Sequence, residues 1–282
     1  MEPDSRSDAL RTYRYLRVAL VVLGLLLLAS VGRARMTSGC WQTSISAYYY
    51  TPSHAVFIAA LCAIGVCLIV YRGFTDLEDV VLNISGFLAF VVAFSPTTRE
   101  PLCGGQGLPA DYDIAPGIRN NVAAFLVSVV LVVILMIYFG RREHRALDPP
   151  AQVALVVGVA LFVVGAVLFA FSPTQFQKQG HGAATTVFFA GIIAVTVLNA
   201  LSSGERLGAA RYIWAYRVIA GVMTATLLVV IGMHLLAGRR SAAIVAETLL
   251  VVEFGAFWVV QTIELWGVLD KDELTQRAGA AR

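Results

Sequence analysis

The chain has 282 residues, 58% of them hydrophobic and 14% charged, with a mean hydropathy of +0.76. An ordinary soluble domain carries about 25% charge and about 45–50% apolar residues, so a soluble enzyme and a disordered tail are both excluded. The net charge of +3 comes from 21 basic and 18 acidic residues spread along the chain; without a clustered basic face there is no nucleic-acid footprint.

A helix that crosses the hydrocarbon core of a bilayer needs about 20 mostly apolar residues. Such blocks lie at 15–32, 55–72, 79–97, 121–140, 151–172, 183–201, 213–236 and 242–267. They predict an all-α, polytopic transmembrane bundle of eight helices, one domain over 15–267, with a cytoplasmic segment 1–14 and a cytoplasmic tail 268–282. A barrel would instead alternate apolar and polar residues over about ten positions, and no such alternation occurs. With the N-terminus inside, fourteen Arg and Lys residues fall on the inner side and seven on the outer. That asymmetry predicts both termini in the cytoplasm and puts the long loops 33–54 and 98–120 outside the cell membrane.

The first block, with Arg11, Arg14 and Arg17 before it, also has the outline of a signal peptide. Two arginines interrupt the small-residue stretch Val31-Gly32-Arg33-Ala34-Arg35, so the expectation is an uncleaved anchor. Next comes a polar cluster, Thr43-Ser44-Ile45-Ser46-Ala47-Tyr48-Tyr49-Tyr50-Thr51-Pro52-Ser53-His54. Its tyrosines suit an aromatic belt at the membrane entry or a binding lip of hydroxyls and rings, and Ser53 is a candidate cap for the second span. Cys40 and Cys103 fall in the two outer loops, where an oxidising exterior permits a disulfide. Cys62 and Cys67 fall within a span, where a thiol packs as a small hydrophobe. On the inner side, Thr75 with Asp76, Glu78 and Asp79 suits a helix N-terminus.

The pentapeptide Ala-Phe-Ser-Pro-Thr closes the third span at Ala93–Thr97 and recurs at Ala170–Thr174, closing the fifth. Proline cannot donate the next helical bond, so each copy reads as a stop; a shared stop signal and a parallel internal repeat both fit it. The histidines are His54, His144, His181 and His234. His54, His181 and His234 sit near outer span ends and, with Glu247, form a candidate metal-ligand set, since three protein ligands plus water is the catalytic zinc arrangement.

Acidic residues inside a bilayer are costly and mark function by default. Three fall within the spans, all in the last: Glu247, Glu253 and Glu264. At about 100° per residue these three and Gln261 share one face about 120° wide, which must look into the bundle or a wet cavity. Arg211 or Arg217 is the expected partner of Glu264; His234, Arg239 or Arg240 that of Glu247.

The string Ser44-Ile45-Ser46-Ala47-Tyr48-Tyr49-Tyr50-Thr51-Pro52, then Val56-Phe57-Ile58, Cys62-Ala63-Ile64-Gly65-Val66, Tyr71-Arg72-Gly73 and Glu78-Asp79, resembles a family of uncharacterised bacterial multi-span membrane proteins. Ser95-Pro96-Thr97, His181 and the Glu-rich last helix fit the same pattern. The resemblance is specific over 43–97 and implies an integral-membrane fold without a mechanism. The chain departs from it in the long 98–120 loop and in extra spans before His181. Similarity to membrane hydrolases of the alkaline-ceramidase and adiponectin-receptor type extends to span number, but their paired histidines on a late helix are missing.

Three readings follow. The first is a ligand-binding or transporter-like bundle that takes a small molecule, ion or lipid along a polar path on the last helix, with Glu253, Gln261, Glu247, Ser46, Tyr48 and Tyr49 as binding residues. The second is a metal-dependent lipid hydrolase using His54, His181, His234 and Glu247. The third is a non-catalytic accessory protein. No Walker loop, dinucleotide motif, haem motif or nucleophile elbow occurs, so no cofactor is expected; the bilayer is the one partner implied.

Overall fold

A computed structural model describes residues 3–104, 107–109, 113–140, 147–202, 210–233 and 243–266. Among these there is no strand. The helices are α1 (Pro3–Ser38), α2 (His54–Val70), α3 (Asp76–Phe94), α4 (Ala115–Gly140), α5 (Pro149–Phe171), α6 (Pro173–Ser202), α7 (Ala210–Gly232) and α8 (Ala243–Glu264), with a 3-10 helix at Ser46–Tyr50. Seven are long and apolar enough to cross a membrane, and α2 is a shorter apolar helix of 17 residues. The protein is a multi-pass helical membrane protein.

Every expected span becomes a helix, and the largest boundary differences are at the starts of α1, at Pro3 rather than 15, and of α6. Helix α6 starts at Pro173 rather than 183, because Thr174, Gln175, Gln177, Lys178 and Gln179 hide a helical turn from a hydropathy reading, while proline suits a first helical position. Both copies of Ala-Phe-Ser-Pro-Thr do end a helix, with Ser95 N–H bonded to Val91 O and Ser172 N–H to Leu168 O. Beyond that stop they differ: Pro96 leads into a loop, whereas Pro173 opens α6 at once.

Six helices form a closed ring in the order α1, α2, α3, α6, α7, α8, with α8 packing back on α1. Neighbours run antiparallel where bonds join their ends. His181 near the start of α6 meets Ser95 after α3, and Asn199 near the end of α6 meets Glu78 near the start of α3. Tyr216 of α7 meets Glu264 of α8 in the same way. We call the end where α1 and α3 finish and α6 and α8 begin the capped end. Between α2 and α3 the backbones nearly touch: a Cβ on Gly65 would lie 2.7 Å from Gly86 O, and one on Gly86 2.6 Å from Gly65 O. Small residues at such a crossing let membrane helices approach closely. The other two helices stand outside the ring, α4 against α3 and α5 against α3 and α6. Their sides are largely exposed Val and Leu, such as Val127, Val132, Val153 and Val156, as lipid contact requires.

The end opposite the cap is closed by a buried polar network. Glu78, expected in a turn, lies inside the bundle at 1% exposure, so the intramembrane acids are not confined to the last helix. Its N–H caps on Thr75 Oγ1 at 3.1 Å, as expected, but its carboxylate accepts from Asn199 Nδ2 at 2.8 Å and Phe74 N–H at 3.1 Å. Gln261 Nε2 extends the chain to Asn199 Oδ1 at 3.3 Å. Arg17, read from sequence as an inner-side charge, is 1% exposed and donates to Leu265 O at 3.1 Å, while Arg14 donates to Trp266 O at 2.5 Å. Two cations thus satisfy carbonyls just past the end of α8, where the helix dipole favours positive charge. Tyr71 stacks edge-on against Trp258 at 5.1 Å and Tyr13 at 5.7 Å, filling the space beside them.

Candidate functional site

Residues 39–53 fold back across the ring as a lid. Cys40 and Cys103 are joined as a disulfide, their Cα atoms 6.1 Å apart. Beside it Gln42 bonds the Cys103 backbone twice, Nε2 to O and Oε1 from N–H, each at 3.0 Å. Tyr50 donates to Thr97 O at 2.6 Å, and Leu108 N–H donates to Tyr50 O at 2.9 Å. Arg99 binds the carbonyls of Leu108 and Pro109 and lies over the Tyr50 ring, 5.5 Å from its centre.

The three tyrosines are not an exposed belt. Tyr48, Tyr49 and Tyr50 are 0%, 6% and 1% exposed, because the tight 3-10 turn carries their rings inward. Burial pushes the Tyr50 phenol up to about 12, with Tyr49 adding to that and Arg99 opposing it. Interfacial aromatics are instead Trp41, Trp214 and Trp266, all more than half exposed,. Ser53 does occupy the position before α2, but its hydroxyl donates to Ser30 O at 3.2 Å instead of capping the helix. This ties the lid to α1.

Under the lid, on the ring axis, is a half-enclosed cavity of about 70 Å³. Its walls come from α1, α2, α3, α6 and α8 and are mostly apolar: Leu27, Phe57, Ala89, Phe188 and Phe254 among others. Four polar residues join them, Ser46 from the lid, His181 and Thr185 from α6, and Glu247 from α8. One turn separates His181 from Thr185, so both lie on one helix face. Glu247 accepts from Ile45 N–H at 2.7 Å, which pins the lid to α8, and Ile244 N–H reinforces this through Thr43 O at 3.1 Å. His181 Nδ1 donates to Ser95 O at 2.8 Å, fixing its ring against the wall. The Thr185 hydroxyl is buried and has no hydrogen-bond partner. Leaving a buried hydroxyl unpaired costs about 1–3 kcal/mol, so the site retains an unmet polar demand.

Of the sequence candidates, the structure brings Glu247, Ser46 and His181 to this cavity, with Tyr48 and Tyr49 in the lid above it. Glu253 and Gln261 are elsewhere. Glu253 turns to α7, accepting from Thr226 Oγ1 at 2.9 Å, and its Oε2 is buried without a partner; Gln261 belongs to the opposite end. Their common face does look into the bundle, but at three separate depths and neighbours. Glu264 is met by the Tyr216 hydroxyl at 2.5 Å, where an arginine was expected. His54 bonds Tyr49 O through Nδ1 at 2.6 Å and packs on the Tyr49 ring. His234, Arg239 and Arg240 lie outside the described residues, as does His144. Among the described residues no three His, Cys, Asp or Glu side chains form a group able to hold a metal.

Sequence reasoning missed Thr185. A threonine one turn after His181 was the available signal, but it had no weight until the lid and α8 were seen to meet it. Toward the opposite end the axis is closed by Phe188, Phe254 and Trp258, which pack ring to ring at 5.0–6.2 Å with Phe189 and Phe257. Neither a protein-family model, nor a curated protein, nor a solved structure matches this chain.

Proposed function

We propose that the protein is a ligand-binding membrane protein whose axial cavity takes the head of a slender amphiphile bearing a hydrogen-bond donor, an amine or a hydroxyl. The observation that carries this reading is the unpartnered Thr185 hydroxyl beside Glu247 in an otherwise apolar cavity. A ligand N–H or O–H donates to the Glu247 carboxylate, the same head group meets Thr185, and the first carbons lie against Phe57 and Phe188. At about 70 Å³ the cavity is smaller than the roughly 150 Å³ cavity that admits benzene, so the ligand is narrow and its chain continues along the open side. The aromatic plug beneath makes the cavity a dead end, which favours binding over an open polar path through Glu253.

The capped end faces the outside of a cell membrane in this reading. A disulfide persists in an oxidising compartment, and the basic residues lean to the other side. The resemblance of 43–97 to bacterial membrane proteins falls on the segment that builds the lid and the cavity walls from α2 and α3. The test is a thermal-shift series with decylamine, decanol and decanoate on the protein in detergent. The expected order of stabilisation is amine, then alcohol, with decanoate repelled by Glu247. Glu247→Gln should bring amine and alcohol within about threefold of each other. Equal stabilisation by all three in the native protein would contradict the reading.

A further inference from the structure

The α3–α6 wall has a second face, turned away from the ring axis. There a larger cavity of about 190 Å³ lies between α3, α4, α5 and α6. Its floor is a bank of aromatic rings: Phe125 stacks on Phe87 at 5.0 Å and meets Phe94 edge-on at 6.0 Å, and Phe162 meets Phe87 edge-on at 5.6 Å. Polar groups enter only at the capped end, where Gln175 and Gln179 line it. Lys178 lies on the same face of α6, since residues three and four apart are helical neighbours, and all three are exposed. Apolar cavities of this size stay dry and accept hydrocarbon instead. The neighbouring solvent is hydrocarbon too: α5 has no buried residue in its most apolar stretch.

We infer that this lateral cavity is a binding site for one acyl chain of a bilayer glycerophospholipid, with its ester and phosphate oxygens held by Gln175, Gln179 and Lys178. Three features favour that occupant. The site is apolar in its depth and donor-rich at one end, which is the polarity of a lipid read from tail to head. The donors sit in the first two turns of α6, at one end of its candidate span. The volume exceeds the roughly 150 Å³ that suffices for benzene, enough for a stretch of chain. Nothing in this site depends on the axial cavity, which α3 and α6 separate from it.

The test uses the full chain in phosphatidylcholine nanodiscs doped with phosphatidylcholine carrying a diazirine on one acyl chain. After irradiation, adducts are mapped by mass spectrometry. Cavity residues Phe125, Leu161 and Phe162 should be labelled at least fivefold above Val127 and Val156, which are 69% and 68% exposed and sample the surrounding lipid. Gly165→Phe should abolish that excess and leave Val127 and Val156 unchanged. Gly165 lines the cavity and a Cβ there meets no atom within 4 Å, so the ring enters open space. Ala183→Leu, on the opposite wall, repeats the test should Gly165→Phe not fold. Removing Gln175, Lys178 and Gln179 together as alanines should cut the excess two- to threefold. Even labelling of cavity and outward residues in the native protein would overturn the site. A diazirine fatty acid that labels the cavity more strongly than the phospholipid would overturn the occupant.

Discussion

The two ends of the six-helix ring use the same kinds of polar residue to opposite effect. At the closed end Glu78, Asn199 and Gln261 are bonded in a buried chain, and Arg17 bonds the backbone just past α8. At the capped end Glu247, His181, Thr185 and Ser46 line an open cavity. Both ends leave buried polar atoms without a partner, Thr185 Oγ1 and Ser95 Oγ at the capped end, Arg17 Nε and Gln261 Oε1 at the closed one. Polar side chains in a membrane bundle therefore do not by themselves mark a binding site. What separates the two ends is vacancy beside the polar group, together with a lid that is cross-linked locally instead of being woven through the helices.

The largest expected effect breaks the closed end. Glu78→Ala removes one acceptor of the Asn199 amide, which keeps its bond to Val195 O, and the carboxylate met by the Phe74 N–H; losing hydrogen bonds to a buried charged group costs about 1–3 kcal/mol. The melting transition in detergent should fall steeply, whereas Glu78→Gln, which keeps an acceptor, should lose about 1 kcal/mol. Equal tolerance of both changes would mean that the network does not close the bundle.

A middle effect loosens the lid alone. Replacing Cys40 and Cys103 by serine removes a cross-link of a kind worth about 2–4 kcal/mol in a soluble protein, with the loss confined here to the loops. Hydrogen exchange should rise at 40–53 and 99–109 while α3, α6 and α8 stay protected. Exchange rising through those helices as well would show the two ends to be one cooperative unit.

The smallest effect has the opposite sign. Thr185→Val replaces the unpaired hydroxyl with a methyl of the same shape and should stabilise the ligand-free protein by about 1 kcal/mol, read from chemical denaturation. It should also weaken amine binding severalfold. Destabilisation would show that the hydroxyl already has a partner.

Much of this architecture was legible in the sequence, because a membrane helix must be largely apolar along its length: each of the eight blocks is a helix, and seven of the helices are long and apolar enough to span. The disulfide pairing also followed, from two cysteines in two loops on one side. What stayed hidden depends on tertiary position. Glu78 sits beside Thr75, Asp76 and Asp79 in a stretch that reads as helix capping, and only the arrival of Asn199 from α6 makes it interior. Arg17 reads as an inner-side charge until α8 ends against it. Hydropathy cannot see the first turns of α6, where glutamines and Lys178 face outward at the membrane edge. Glu247 and Glu253 lie on one helical face, yet one meets the lid and the other meets α7, a difference in depth and neighbours that angular projection along a single helix does not contain.

The proposed function rests on a ligand in the axial cavity. The most direct measurement is a density map of the protein extracted in mild detergent and never delipidated, at a resolution that shows side chains. Elongated density is expected under the lid, with its head within hydrogen-bond distance of both Glu247 and Thr185. A cavity closed by the lid, with Thr185 bonded to a protein group, would contradict it.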